Sequence, residues 1–275
     1  MSCNACGSAR PKHRLIVNAD DFGFNRDVND GIVDAHRKGI LTATTLMANG
    51  EAFDHAVQVA KAVPTLDVGV HLVMVQGESL ARPGKAMPAT VKDLIIALAT
   101  KQIDPFEEMV YQVQRITAAG IRPTHLDTHK HTHLMPSVLK AMVRIAHEFR
   151  IPWIRRPFDF EIRQDVPVMK SAMAMGMRVT AAAMARAITP PLMLTDHFAG
   201  FQITGRLDKA RLISTLEALP EGLTELMCHP ARMGDELKAS KTRLKESRAV
   251  ELEALTSPEV RQVLLRKQIA LANYR

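Results

Sequence analysis

The chain is poor in cysteine: it has three in 275 residues, and Cys3 and Cys6 sit together near the start. So few thiols, in an odd number, give no disulfide framework, and a core of this length needs none. The Cys3–Cys6 pair has only His13 nearby and lacks the second ligand pair of a zinc knuckle. Residues 1–13 therefore read as a flexible tail, and the cysteine usage fits a reducing cytoplasm. Aromatic residues are also scarce, at 4%, which leaves few stacking platforms for single-stranded nucleic acid. No apolar run reaches the ~18–20 residues that span a bilayer. The nearest, Met169–Leu194, is broken by Lys170, Arg178, Arg186 and the Pro190–Pro191 pair. Residues 1–14 show no apolar segment of the signal-peptide kind.

What is present is ordinary globular composition, 47% hydrophobic and 24% charged, with a net charge of +7. Much of the basic excess lies in Lys238–Arg248 and reads as a solvated helix face or loop. No nucleic-acid motif accompanies it, so no nucleic-acid partner is expected. Short apolar runs alternate with helical patterns. Strands are expected at 15–19, 42–47, 67–73, 124–128, 152–155, 192–195 and 224–228. Helices are expected at 25–38, 52–63, 91–100, 105–119, 136–148, 168–187 and 207–219, and over the last 30 residues. Repeated β-then-α units imply parallel strands joined by right-handed crossovers. About seven units without a Gly-rich phosphate loop favour an α/β barrel, as one domain over residues 14–275.

The unusual polar residues fall at the ends of these strands. Asp20 and Asp21 end the first, His71 nears the end of the third, and Asp127 and His129 end the fourth. Arg155 and Arg156 follow the fifth, and His229 follows the last. In a parallel barrel those ends share one mouth. Adjacent carboxylates on a strand point to opposite faces, but at a strand end both can turn into one site. One can hold a cation while the other stays free to accept a proton. Taken alone, the pair also reads as an exposed cap, and His71 as a hydrogen-bonded core histidine. The run from His125 to His133 holds four histidines and Asp127, too polar for a core strand. Imidazole is the commonest metal ligand, and two imidazoles with one carboxylate leave coordination positions open for catalysis. His229, in Met227-Cys228-His229-Pro230, is the natural second acid–base group beside such a site.

Four motifs in order, Asn18-Ala19-Asp20-Asp21-Phe22-Gly23, Gly69-Val70-His71-Leu72, His125 to His133, and Met227-Cys228-His229-Pro230, resemble the YdjC/ChbG-type carbohydrate deacetylases, distant relatives of NodB-type polysaccharide deacetylases. The resemblance runs from about His13 to the C-terminus and implies a distorted (β/α) barrel. It implies a divalent cation held by Asp21, His71 and His129, with Asp20 as general base and His229 as general acid. His131 and His133 match family positions without a fixed role; they and Asp127, Arg155 and Arg156 are expected to contact substrate or the ligands. Val75-Gln76-Gly77-Glu78 and Trp153-Ile154-Arg155-Arg156-Pro157 look like the hopanoid-biosynthesis branch. That branch implies an N-acetylglucosaminyl hopanoid lipid as substrate, at the inner face of the membrane. Rival readings are a chitooligosaccharide-type deacetylase, a hydrolase of another amide or a phosphoester, and a sugar- or lipid-binding protein without turnover. The donor set suits Zn²⁺ but also Mg²⁺, Mn²⁺ or Co²⁺. Peripheral membrane contact and a homodimer remain open.

Overall fold

The computed structural model describes residues 11–160, 181–182 and 184–275. Cys3, Cys6 and most of the helix expected at 168–187 lie outside the described residues. The longest strand, β1 (His13–Phe22), is the axis of the sheet, and eight of its ten residues are buried. The other strands are β2 (Ala43–Leu46), β3 (Asp67–Leu72), β4 (His125–Thr128), β5 (Trp153–Ile154), β6 (His197–Ala199), β7 (Gly222–Cys228) and β8 (Ile269–Leu271). Among the described residues these strands all pair in parallel, in the order β5-β4-β3-β2-β1-β7-β6. β8 pairs with the first three residues of β1, and β2 with its far half, so the two share one edge of that strand. Single parallel bridges, Trp153 to Met193 and Asp159 to Phe198, link the chain at and beyond β5 with the strand segment around β6. Seven strands thus curl into the distorted half-barrel of a single domain.

Helices α1 (Arg26–Lys38), α2 (Phe53–Ala62), α3 (Val91–Ala99), α4 (Pro105–Ala118), α5 (Pro136–Glu148) and α6 (Lys209–Glu217) follow the strands; α7 (Asp235–Ala239), α8 (Glu246–Thr256) and α9 (Pro258–Arg266) close the chain. Their starts obey capping chemistry. Asn25 accepts a hydrogen bond from the Val28 N–H at 2.9 Å, Thr90 and Asp93 form a capping box, and Pro105 and Pro136 open their helices. None of the helices among the described residues is long and apolar enough to cross a membrane.

Three expectations need correction. The sheet takes up His13, which pairs with Gly222 and Ile269, so the tail ends before it. The strand expected at 192–195 is a lone bridge at Met193, and the ladder forms at His197–Ala199, beside Thr224–Leu226 of β7. The last 30 residues are not all helical, because Ile269–Leu271 turns back to pair with β1. A three-residue apolar run is too short to carry a periodic signal.

Helix α1 packs tightly under the chain that leaves β7. A Cβ on Gly31 would overlap the Cα and carbonyl carbon of Ala231, two residues beyond His229. Backbone cannot yield as a flexible side chain can. We expect Gly31→Ala to lower the unfolding free energy by about 1–3 kcal/mol in a urea titration; wild-type stability would contradict this contact.

Candidate active site

Sheet register assembles the site. His71 on β3 lies opposite Asp127 on β4, and Leu126 lies opposite Ile154, which brings Arg155 beside Asp127. Ala19 lies opposite Cys228, so Asp20 emerges next to His229. A break in register between Ala19 and Phe22 then bulges β1, and Asp21 takes a left-handed backbone with φ of 68°. Asp tolerates that conformation better than most residues. The bulge is what lets two adjacent carboxylates enter one site, where a regular strand would separate them. The turn is held from α1, where the buried Asn29 side chain accepts the Gly23 N–H at 2.6 Å.

Three donor atoms face one another at the mouth. Asp21 Oδ1 lies 3.4 Å from His71 Nε2 and 3.2 Å from His129 Nδ1, and the two nitrogens are 3.3 Å apart. Asp21 Oδ1 is buried and makes no hydrogen bond. His71 Nδ1–H donates to Asp127 Oδ1 at 2.7 Å, which fixes the tautomer and leaves Nε2 with its lone pair outward. Thr45 Oγ1 donates to the other Asp127 oxygen at 3.2 Å. The result is an imidazole braced by a carboxylate, with a second nitrogen that could take a metal ion. Ligands at ~2.0–2.2 Å and tetrahedral angles lie ~3.3–3.6 Å apart, so the residues present fit a cation.

Arg155 carries the rest. Its guanidinium binds Asp20 through both oxygens at 2.6 and 2.7 Å, Asp127 at 2.5 Å and Glu225 at 2.7 Å, all buried. Arg248 contacts Asp21 Oδ2. Asp20, Asp21, Asp127 and Glu225 meet two guanidinium groups, and Glu251 is buried on the same helix as Arg248, so buried carboxyl groups outnumber buried guanidinium groups at the mouth. Donor atoms of Asp20, His71 and Asp127 also converge, but there the Arg155 guanidinium already serves as the cation.

The electrostatics follow from burial and these partners. Burial favours a neutral Asp20, yet Arg155 overrides it and holds the carboxyl well below the usual range. Asp21 is likewise held low, against burial, by Arg248 and the two imidazoles. Burial disfavours the His71 imidazolium, but Asp127 and Asp21 push its pKa up to about 10, so without a metal this cluster draws in a proton. Burial lowers His229 to about 4 despite Asp20, whose Oδ2 lies 3.9 Å from Nε2.

The remaining candidates separate. Lys130 and His131 have φ of 56° and 52°, and this turn, a 3₁₀ segment over His129–Leu134, aims His129 into the mouth. His131 rests against the Phe198 and Phe201 rings, with ring centroids 6.3 and 5.6 Å away. His133 is fully buried and bonded to Thr128 Oγ1 at 2.6 Å; burial and Arg155 lower its pKa to about 3, so it braces the turn as a neutral ring. Arg156 points away, donating to the Asp196 carbonyl at 2.7 Å. His125 stacks on Tyr274 and donates to Asn18, so the first histidine of the cluster belongs to the core.

Sequence reasoning missed Glu225, Asn18, Arg248 and Glu251. Asn18 donates to Asp20 at 3.1 Å, and Glu251, its pKa pushed up to about 7 by burial, accepts the His229 backbone N–H at 2.5 Å. Arg248 corrects the reading of Lys238–Arg248 as a solvated face, since only 2% of it is exposed. The usable signal was spacing: Arg248, Glu251 and Leu255 lie on one buried stripe of α8.

Fold and site together define a β/α-barrel hydrolase, with reactive groups gathered at the carboxyl ends of parallel strands. More particularly, the chain belongs to the YdjC-like protein family, whose model matches residues 14–266. It is 33% identical over 267 residues to a carbohydrate deacetylase of Brevibacillus brevis, covering 95% of this chain and 98% of that protein. It is 32% identical over 263 residues to a chitooligosaccharide deacetylase of Salmonella typhimurium, covering 91% and 93%. A solved Enterococcus faecalis structure named for cellobiose-phosphate cleavage matches with a TM-score of 0.72 over 96% of this chain and 98% of that one. At 23% identity, that match shows the fold.

Removing Arg155 would leave three buried carboxylates without their shared partner. Arg155→Met is expected to lower the unfolding free energy at pH 7 by about 3–5 kcal/mol. A loss below ~1 kcal/mol would mean these pairs count no more than surface pairs.

Proposed function

We propose that this chain is a metal-dependent N-deacetylase that hydrolyses the acetamide of an N-acetylglucosamine-type sugar to acetate and the free amine. The observation that carries the reading is the buried Asp21 Oδ1, which makes no hydrogen bond and faces His71 Nε2 and His129 Nδ1, with Asp20 and His229 alongside. The names of the Brevibacillus and Salmonella relatives supply the substrate class. Asp21, His71 and His129 would hold the ion, and a set of one carboxylate and two imidazoles suits Zn²⁺ and also Mg²⁺, Mn²⁺ or Co²⁺.

An amide carbonyl is a poor electrophile and water a poor nucleophile. When bound, the ion supplies Lewis acidity to both. Asp20, kept anionic and fixed by Arg155, takes the proton of the attacking water at a carboxylate oxygen. His229 enters the cycle as a neutral ring. Asp20 Oδ2 and His229 Nε2 lie 3.9 Å apart, too far for direct transfer, so a proton collected at Asp20 would pass to His229 by way of one intervening water. His229 then protonates the leaving nitrogen, which departs as a neutral amine. The proton taken from water thus ends on the product. Arg155 is fully engaged and serves to orient Asp20 rather than grip the sugar.

The finer assignment is an N-acetylglucosaminyl hopanoid lipid, supported by Val75–Glu78 and Trp153–Pro157, with a free chitooligosaccharide as the alternative. A lipid-linked substrate would bring the protein to a membrane face. Mass spectrometry of the hopanoid pool in cells with and without the protein separates the two: accumulated N-acetylglucosaminyl hopanoid in its absence supports the lipid.

Acetate release from both substrates tests the chemistry. We expect Asp21→Ala to lose the metal and its activity together. Asp20→Asn should keep stoichiometric metal and lose turnover by ~10²–10⁴-fold. Activity that survives exhaustive chelation would contradict the metal reading, and full activity of Asp20→Asn would contradict the base.

A further inference from the structure

Helix α8 reaches the site from outside the strand-end set. Arg248 donates from Nε to the Leu244 carbonyl at 3.0 Å and from Nη2 to Asp21 Oδ2. The Arg248 carbonyl accepts the Ala231 N–H at 3.2 Å, and Glu251, one turn on, accepts the His229 N–H. One helix therefore grips both the chain behind His229 and one oxygen of Asp21.

The placement is costly unless it has a purpose. A guanidinium beside a cation site repels the ion that site is built to hold, and its charge is buried, 2% exposed. Charge balance alone does not explain the choice of oxygen. A carboxylate on a short stem can turn about its last bond and offer one or both oxygens to a metal. With Oδ2 taken, only Oδ1 remains, and it faces the two imidazole nitrogens at 3.2 and 3.4 Å. We propose that Arg248 is a positioning residue that confines Asp21 to a single donor oxygen and so sets the third corner of the metal site. This rests on the metal reading above and adds a residue to it. The fork geometry matters: Nε on the Leu244 carbonyl, just ahead of α8, orients the guanidinium plane, which holds Nη2 on Asp21. A lysine ammonium lacks that fork.

The test uses metal-free wild type, Arg248→Lys and Arg248→Met, titrated with Zn²⁺ by calorimetry and with Co²⁺ by visible absorption. Removing a group that orients a ligand weakens metal binding by about 10–100-fold, and we expect that for Met, with Lys losing less. The Co²⁺ bands should weaken in both variants as a freed second oxygen raises the coordination number. Wild-type affinity and spectrum in both variants would overturn the proposal while leaving the metal reading intact. If the Met variant does not fold, Lys alone decides by the same two readouts. A wild type that binds neither ion would overturn the metal reading and the proposal with it.

Discussion

The arrangement depends on one guanidinium placed among three buried carboxylates. Arg155 leaves β5 and reaches Asp20 from β1, Asp127 from β4 and Glu225 from β7, so a single side chain ties together strands from both halves of the sheet. Each carboxylate alone would be too costly to bury, and each is buried because the others share its partner. The consequences pass outward. Asp127, fixed on one side by Arg155, fixes the His71 ring on the other. Asp20, held by two hydrogen bonds from Arg155 and one from Asn18, remains an anion. Around the mouth the buried carboxyl groups outnumber the two buried guanidinium groups.

The second constraint is in the backbone. A strand sends neighbouring side chains to opposite faces, yet a hydrolytic site needs a ligand and a proton acceptor side by side. The bulge after Ala19 and the left-handed turn at Asp21 resolve that conflict. The strain is local and is held in place by Asn29 on α1, by the cap at Asn25 and by Arg248 on α8. Left-handed backbone thus recurs at the mouth, at Asp21 and again at Lys130 and His131, where side chains must be turned into one site.

Much of this was legible in the sequence, for a physical reason. A barrel strand buried on both faces is apolar, so a charged residue at its end stands out against Ile16, Val17 or Val70. Asp20, Asp21, His71, His129 and His229 were readable in that way, and parallel topology makes strand ends converge. Three things were not. Arg248 sits in a run of lysines and arginines whose composition speaks of solvent, and only its helical spacing from Leu255 marks it as inward-facing. His125 shares the polarity of its neighbours, and nothing local says that it stacks on Tyr274, 149 positions away in the chain. Strand β8 is three residues long and exists because β1 has an unpaired edge to offer. In each case the deciding partner is distant in sequence, and local pattern gives at most a hint that the residue turns inward, as for Arg248, without naming that partner.

The central claim is that the buried negative charge is arranged around one cation held by Asp21, His71 and His129. Anomalous diffraction from crystals of the zinc-loaded protein, measured on both sides of the zinc absorption edge, tests it most directly. The account predicts one peak per chain, bonded to Asp21 Oδ1, His71 Nε2 and His129 Nδ1 at ~2.0–2.2 Å, with Arg155 still on Asp20. A peak between Asp20 and Asp127 with Arg155 displaced, or no peak at the mouth, would contradict it.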